Sequence, residues 1–180
     1  EHEAFRNMTG FGIRIGHQQK VASAELLYRN CLFENCGTAL AMLTFNDYDN
    51  TVDGCEFRNC GIGVFDNKGN FYVRNSHFEG SREADFVIGS EHGSSIRRCT
   101  SVGSKRFVEE RGTIAPLTIQ DCHVAAWTDP EGAVYLNGSP VLMFDNSFTR
   151  PPSQRPPVKL VSAGQKLLVS NNRPEAVDQL

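Results

Sequence analysis

A short apolar stretch recurs along the chain at a nearly constant interval, each time closed by a polar bend. The copies read YRNCLF (28–33), VDGCEF (52–57), VRNSHF (73–78), IRRCTS (96–101), IQDCHV (119–124) and MFDNSF (143–148), with FRNMTG opening at Phe5 and VSNNRP at Val169. With Met8, Cys31, Cys55, Ser76, Cys99, Cys122, Asn146 and Asn172 as register marks, the spacings are 23, 24, 21, 23, 23, 24 and 26 residues. Three residues before each mark stands an apolar side chain, and one residue before stands Asn7, Asn30, Gly54, Asn75, Arg98, Asp121, Asp145 or Asn171. Seven of these eight are Gly, Asn or Asp, the residues that tolerate the left-handed backbone of a sharp bend. A second apolar column follows in each unit, from GIRI (12–15) through TALAML (38–43), IGVF (62–65), ADFVI (84–88), FVEE (107–110) and AVYL (133–136) to KLVS (159–162). No unit holds a helix-period stretch of ten or more residues. A unit this short cannot bury its apolar face alone and must stack on its copies. The pattern predicts an all-β fold: a solenoid of about eight coils built from parallel strands, roughly 38 Å long at ~4.8 Å per coil.

The 180 residues suit one domain spanning 1–180. Neither end carries an amphipathic capping helix. The chain is therefore expected either to be a piece of a longer one or to cap itself with loops, the Pro-rich run 151–157 serving as a blunt edge. A net charge of -3 and a pI near 6.0 give no global case for a nucleic-acid partner or an anionic membrane. No apolar run approaches the ~20 residues of a spanning helix, and no basic-apolar leader opens the chain at Glu1, which leaves export open.

Six cysteines fall at recurring positions, Cys31/Cys55 and Cys99/Cys122 in one column and Cys36/Cys60 in another, with no CxxC spacing. They read as an internal ladder of small, soft side chains, or as disulfides between adjacent rungs. His77 and His123 each follow a register mark by one residue, so both are expected on one outward face, two coils apart and too distant to share a metal.

The Asn-Cys-x-Phe pattern, with Gly and Ile or Val opening the next strand, resembles the coils of right-handed parallel β-helix proteins of the pectate-lyase-like superfamily, over essentially the whole chain. That resemblance implies the fold more sharply than an activity, because the fold carries lyases, hydrolases, esterases, epimerases and phage tailspikes. It implies a secreted or cell-surface protein, monomeric or trimeric. The segment FYVRNSHFEGSREADFVIG (71–89) is also similar to the stretch of pectinesterases in which a nucleophilic Asp precedes Phe and Gly, which implies Asp85 as nucleophile and Asp66 as its acid/base partner. Asp66 is not preceded by the Gln of that pattern, and no Arg-x-Trp follows.

A β-helix fills its interior with side-chain ladders, so a ligand is expected in an outer groove walled by loops. The loops before the second strand lengthen along the chain and gather Arg82, Lys105, Arg106, Arg150 and Arg155, together with Trp127, Asp129 and Glu131. Basic groups there suit an acidic sugar and Trp127 a pyranose face, with Arg82, Glu83, His92, Asp129, Glu131 and Tyr135 as further binding residues. If Val64, Phe86, Val108 and Val134 point inward, alternation turns Asp85, Glu109 and Tyr135 outward, with Asp85 and Glu109 about one rung apart. Two chemistries follow. In a lyase of uronate-containing glycans, Lys105, Arg106 or Arg82 would take the proton α to the carboxylate. In a glycoside hydrolase or esterase, the carboxylates Asp85, Glu109 and Asp66 would act in pairs. Ca²⁺ is the one cofactor considered, with Glu83, Asp66 and Asp85 as oxygen ligands. The competing reading is a non-catalytic glycan-binding or adhesin-type β-helix, on which the same acids only form a salt-bridged face with Arg82, Arg106 and Arg111.

Overall fold

The computed structural model describes residues 1–16, 23–112, 114–149, 157–161 and 166–175. Arg150, Arg155, Ser162 and the prolines at 151–156 lie outside the described residues. The chain runs through three parallel sheets in turn and returns one rung higher each time. Sheet 1 has eight strands, from Ala4–Arg6 to Arg173–Glu175. Sheet 2 has seven, from Phe11–Ile15 to Val158–Leu160, and sheet 3 has seven, from Leu27–Arg29 to Leu167–Ser170. The described residues thus make seven full coils and the first strand of another, slightly fewer than expected and of the expected class. None of these residues forms a helix.

The expected bend is present in every coil. Asn30, Gly54, Asn75, Arg98, Asp121, Asp145 and Asn171 all have φ between 48° and 65° and turn the chain from sheet 3 into sheet 1. Their side chains stack too: Arg98 Nε donates to Asn75 Oδ1 at 2.9 Å, and Asn75 Nδ2 to Asp53 Oδ1 at 2.8 Å. A second left-handed column, Asn7, Asn35, Asn59, Gly80, Gly103 and Ala126, turns sheet 1 into sheet 2. Each three-residue strand of sheet 1 is therefore clamped between two such corners.

The first register mark needs correction. Ala4, Phe5 and Arg6 pair with Leu32, Phe33 and Glu34, so FRNM aligns with FENC at 33–36 and Met8 with Cys36. Asn7 belongs to the second corner, and His2, with φ 61°, occupies the first. The other seven marks hold: each carbonyl from Cys31 to Asn146 accepts the N–H that follows the next mark, as in Glu56 N–H to Cys31 O at 2.9 Å.

Between the corners, sheet 1 sends one side chain per coil into the core. Phe5, Phe33, Phe57 and Phe78 stack face to face with centroids 5.0, 4.9 and 4.4 Å apart. Stacking adds to the apolar area each ring removes from water. The inward residues after the corners are Cys31, Cys55, Ser76, Cys99, Cys122 and Asn146 in one ladder and Cys36, Cys60, Ser81, Ser104 and Trp127 in the other. All six thiols are buried and free, so the ladder and not the inter-rung disulfide is what the cysteines form. Burial pushes the thiols of Cys55 and Cys60 up to about 11. His77 and His123 do share an outward column with Thr100 between them, and each ring bonds the hydroxyl one rung up, Thr100 or Ser147.

Truncating the middle of the aromatic stack, Phe57→Ala, should cost about 3–5 kcal/mol in a urea-unfolding measurement. A thiol reagent should label none of the six cysteines in native protein and all six in denaturant.

Candidate functional site

Sheet 2 and the loops that enter it carry most of the residues expected to do chemistry, and the pleat decides which of the strand residues meet solvent. Its central positions alternate as expected: Val64, Phe86, Val108 and Val134 point inward, while Phe65, Val87, Glu109, Tyr135 and Lys159 form the outward column. The alternation fails at the strand's entry. There the chain is still turning out of the corner, and the preceding position is also inward, occupied by Gly63 in one coil and Asp85 in the next. A Cβ on Gly63 would lie 2.6 Å from the Asp85 carbonyl and 2.8 Å from the Phe78 ring.

Asp85 is consequently not on the outer face and not paired with Glu109. It is 0% exposed. Its carboxyl occupies the level at which the phenylalanine stack ends, because the residue above Phe78 is Ser101. Ser101 Oγ donates to Asp85 Oδ2 at 2.5 Å and Ser104 Oγ to Oδ1 at 2.6 Å. Burial raises the Asp85 pKa to about 7 against these hydrogen bonds. Asp66 is likewise sealed, at the far end of its strand, where it accepts from Ser90 Oγ and from Gly69 N–H. Desolvation raises it to about 6, with help from nearby Asp47. Glu110 is a third inward acid that the sequence did not single out. It accepts from Ser139 Oγ at 2.7 Å and from Asn137 N–H at 2.6 Å, tying one corner to the next.

Trp127 is no platform for a sugar. It stands at the ladder position of Cys36, Cys60, Ser81 and Ser104, 1% exposed, and its Nε1 meets no acceptor among the described residues. His92 packs half-buried against Phe45 and Tyr48, with ring centroids 5.0 and 4.9 Å away. Arg82 donates to the carbonyls of Asn59 and Cys36 and serves the corner.

What remains outside is one connected network. Arg106 Nε meets Asp129 Oδ2 at 2.8 Å and a terminal nitrogen meets Glu109. Its guanidinium lies 4.0 Å from the centre of the Tyr135 ring, whose hydroxyl donates to Asp129 Oδ1 at 3.1 Å. Lys159 Nζ sits 5.2 Å from the same ring and 2.6 Å from Glu131. Arg111 holds the other oxygen of Glu109 at 3.1 Å. Burial opposes ionisation of Asp129, but the Glu131 N–H, the Tyr135 hydroxyl and Arg106 outweigh it and keep the carboxyl below its ordinary range. Burial and Asp129 together push Tyr135 up to about 12. Lys105 and Glu83 are exposed, and Lys105 has no ionic partner among the described residues.

The calcium expectation does not survive this geometry. Asp66 and Asp85 face inward while Glu83 faces solvent. Among the described residues no three His, Cys, Asp or Glu side chains gather as a metal would require.

The model of the right-handed β-helix region matches residues 4–174. The chain belongs to the right-handed β-helix family. Comparisons with curated proteins and with solved structures return no match. Membership in the β-helix family fits the three-sheet coil and is consistent with the pectate-lyase-like superfamily, a glycan-related group.

The β-helix also presents a surface missing from the sequence-based expectations. Tyr72, Arg74, Ser95, Arg97 and Thr118 line a shallow groove on the outside of sheet 3. The signal lay between the two aligned columns: two residues before the marks from Cys31 to Cys122 stand Arg29, Asp53, Arg74, Arg97 and Gln120, one above another.

The folded state holds a proton on Asp85 up to about pH 7, whereas the unfolded chain releases it near the ordinary carboxylate value. Stability should therefore fall as pH rises from about 4 to 7 and level off above. Asp85→Asn should remove the part of that slope between about pH 6 and 7 and some of it below pH 6, where Asp66 contributes as well, raising stability at neutral pH on the order of a few kcal/mol in urea titrations across this range.

Proposed function

We propose that this β-helix is a carbohydrate-active protein, secreted or held at the cell surface, that lays an acidic polysaccharide along the outer face of sheet 2. The observation that carries the reading is Tyr135, fixed between Arg106 and Lys159 on the outer face of sheet 2. Three cations (Arg106, Arg111, Lys159) face three acids (Glu109, Asp129, Glu131) in the network, and Lys105 is exposed with no ionic partner among the described residues. Arg106 and Tyr135 are oriented before any ligand arrives, which lowers the ordering cost of binding. The carboxylate-pair chemistries have little support. Asp85 and Asp66 do not reach solvent, and both oxygens of Glu109 are engaged by arginines.

Lysis of a uronate-containing glycan is the second reading, favoured by Lys105. Its neutral amine would take the proton from the carbon next to the carboxylate, the electron pair would form the new double bond, and the glycosidic oxygen would depart with a proton from water, which the lysine ammonium then replaces.

Calorimetric titration with polygalacturonate, alginate and a glycosaminoglycan, and with a neutral glucan as control, tests the proposal. Acidic polymers should bind, more weakly at higher salt. Tyr135→Ala should lower affinity about tenfold. An absorbing unsaturated product that Lys105→Ala abolishes would establish the lyase. Equal binding of the neutral glucan, or no binding at all, would refute the proposal.

A further inference from the structure

The groove on sheet 3 is a candidate ligand site in its own right. The in-register pairing of Arg74 with Arg97 places two guanidiniums one rung apart, about 4.8 Å in backbone spacing. Asp53 pairs with Arg74 at 3.1 Å, and Arg97 has no ionic partner among the described residues. Arg98, at the next corner, is held by Asn75. Like charges directly opposite in a sheet destabilise it, and here Asp53 reaches only one of the two.

The neighbouring groups are placed for recognition. Tyr72 is 38% exposed, and its hydroxyl is pinned, donating to Asp49 Oδ1 and accepting from Asn70 Nδ2, both at 3.1 Å. Its ring is thus a fixed wall. Ser95 and Thr118 stand in register beyond Tyr72 and bring hydroxyls to the floor. Gly93 keeps the rim open, since a Cβ there would meet nothing nearer than Pro116 at 3.6 Å. The groove is about 400 Å³ and open, a size suited to a small ligand or a few sugar units.

We infer that Arg97 and Arg74 bind the oxyanion, carboxylate or sulfate, of an acidic saccharide whose ring lies against Tyr72. A planar guanidinium pairs with either oxyanion through two parallel hydrogen bonds, and the Ser95 and Thr118 hydroxyls serve the ring oxygens. This site lies on a different sheet from the Tyr135 surface, and either can fail alone.

Backbone and arginine side-chain amide NMR shifts of the protein test the inference, during titration with a galacturonate trimer, a sulfated disaccharide, inorganic sulfate and a neutral galactose oligomer. Saturable shifts are expected at Tyr72, Ser95, Arg97 and Thr118 with one or both acidic saccharides, the tighter one naming the oxyanion. Arg97→Gln should weaken that binding at least tenfold without lowering the melting temperature, and Tyr135→Ala should leave it unchanged. No saturable shift in the groove, an unchanged affinity in Arg97→Gln, or an equal response to the neutral oligomer would overturn the site. Inorganic sulfate binding as tightly as the acidic saccharides would overturn its assignment to a sugar.

Discussion

In-register parallel stacking is the constraint on which everything else in this molecule rests. Along the strands and corners, the backbone N–H groups of one coil bond to the coil next to it, so each such position in the 23-residue unit becomes a column running along the rod. A side chain is then judged against its own copies above and below. Phenylalanine stacks well on phenylalanine, and a cysteine or serine bonds the backbone of the adjacent rung. The left-handed corners hold this registry, because two sharp bends with one strand of sheet 1 between them leave the chain little freedom to slip.

The columns also explain where polar groups enter the core. When the ring column ends at Ser101, the space is taken up by the Asp85 carboxyl and by Phe107, whose ring stands edge-on to Phe86 at 5.5 Å. The serines that replace cysteine at 81 and 104 belong to the same level, and Ser104 both donates to Asp85 and accepts from the Ser81 N–H. A buried carboxyl is tolerated when its surroundings supply donors, and its proton then becomes part of the folded structure. On the outside, the same stacking lines up charges. Opposite signs make the Arg106 network, and two like charges make the sheet 3 groove.

Much of this was legible in the sequence. The bend column, the phenylalanine column and the cysteine ladders follow from an interval that never strays far from its mean. FRNM misled because Asn-x-x signals occur at both corners of the coil, and only the pairing of Phe5 with Phe33 tells them apart. Asp85 was misplaced because a strict two-residue alternation holds along a strand but not at its entry, where consecutive residues can both face inward. Trp127 was misplaced because it follows Ala126, which among the described second-corner residues is the one that is neither Asn nor Gly, so the corner signal before that ladder position is missing. Arg74 and Arg97 were readable in the column alignment. Their column is mixed in sign, with Arg29, Asp53, Arg74, Arg97 and Gln120 in turn, so it carries no periodic signal of its own.

The end of the aromatic stack divides the rod mechanically. Below it, four rings lie flat on one another, and each coil grips the next through a continuous dry column. Above it, the contact passes through hydroxyls, a carboxyl and rings set at an angle. A one-dimensional stack parts where neighbour coupling is weakest. Pulled or warmed, this one should separate between the strands His77–Glu79 and Thr100–Val102, leaving the ring-stacked coils as the more durable segment.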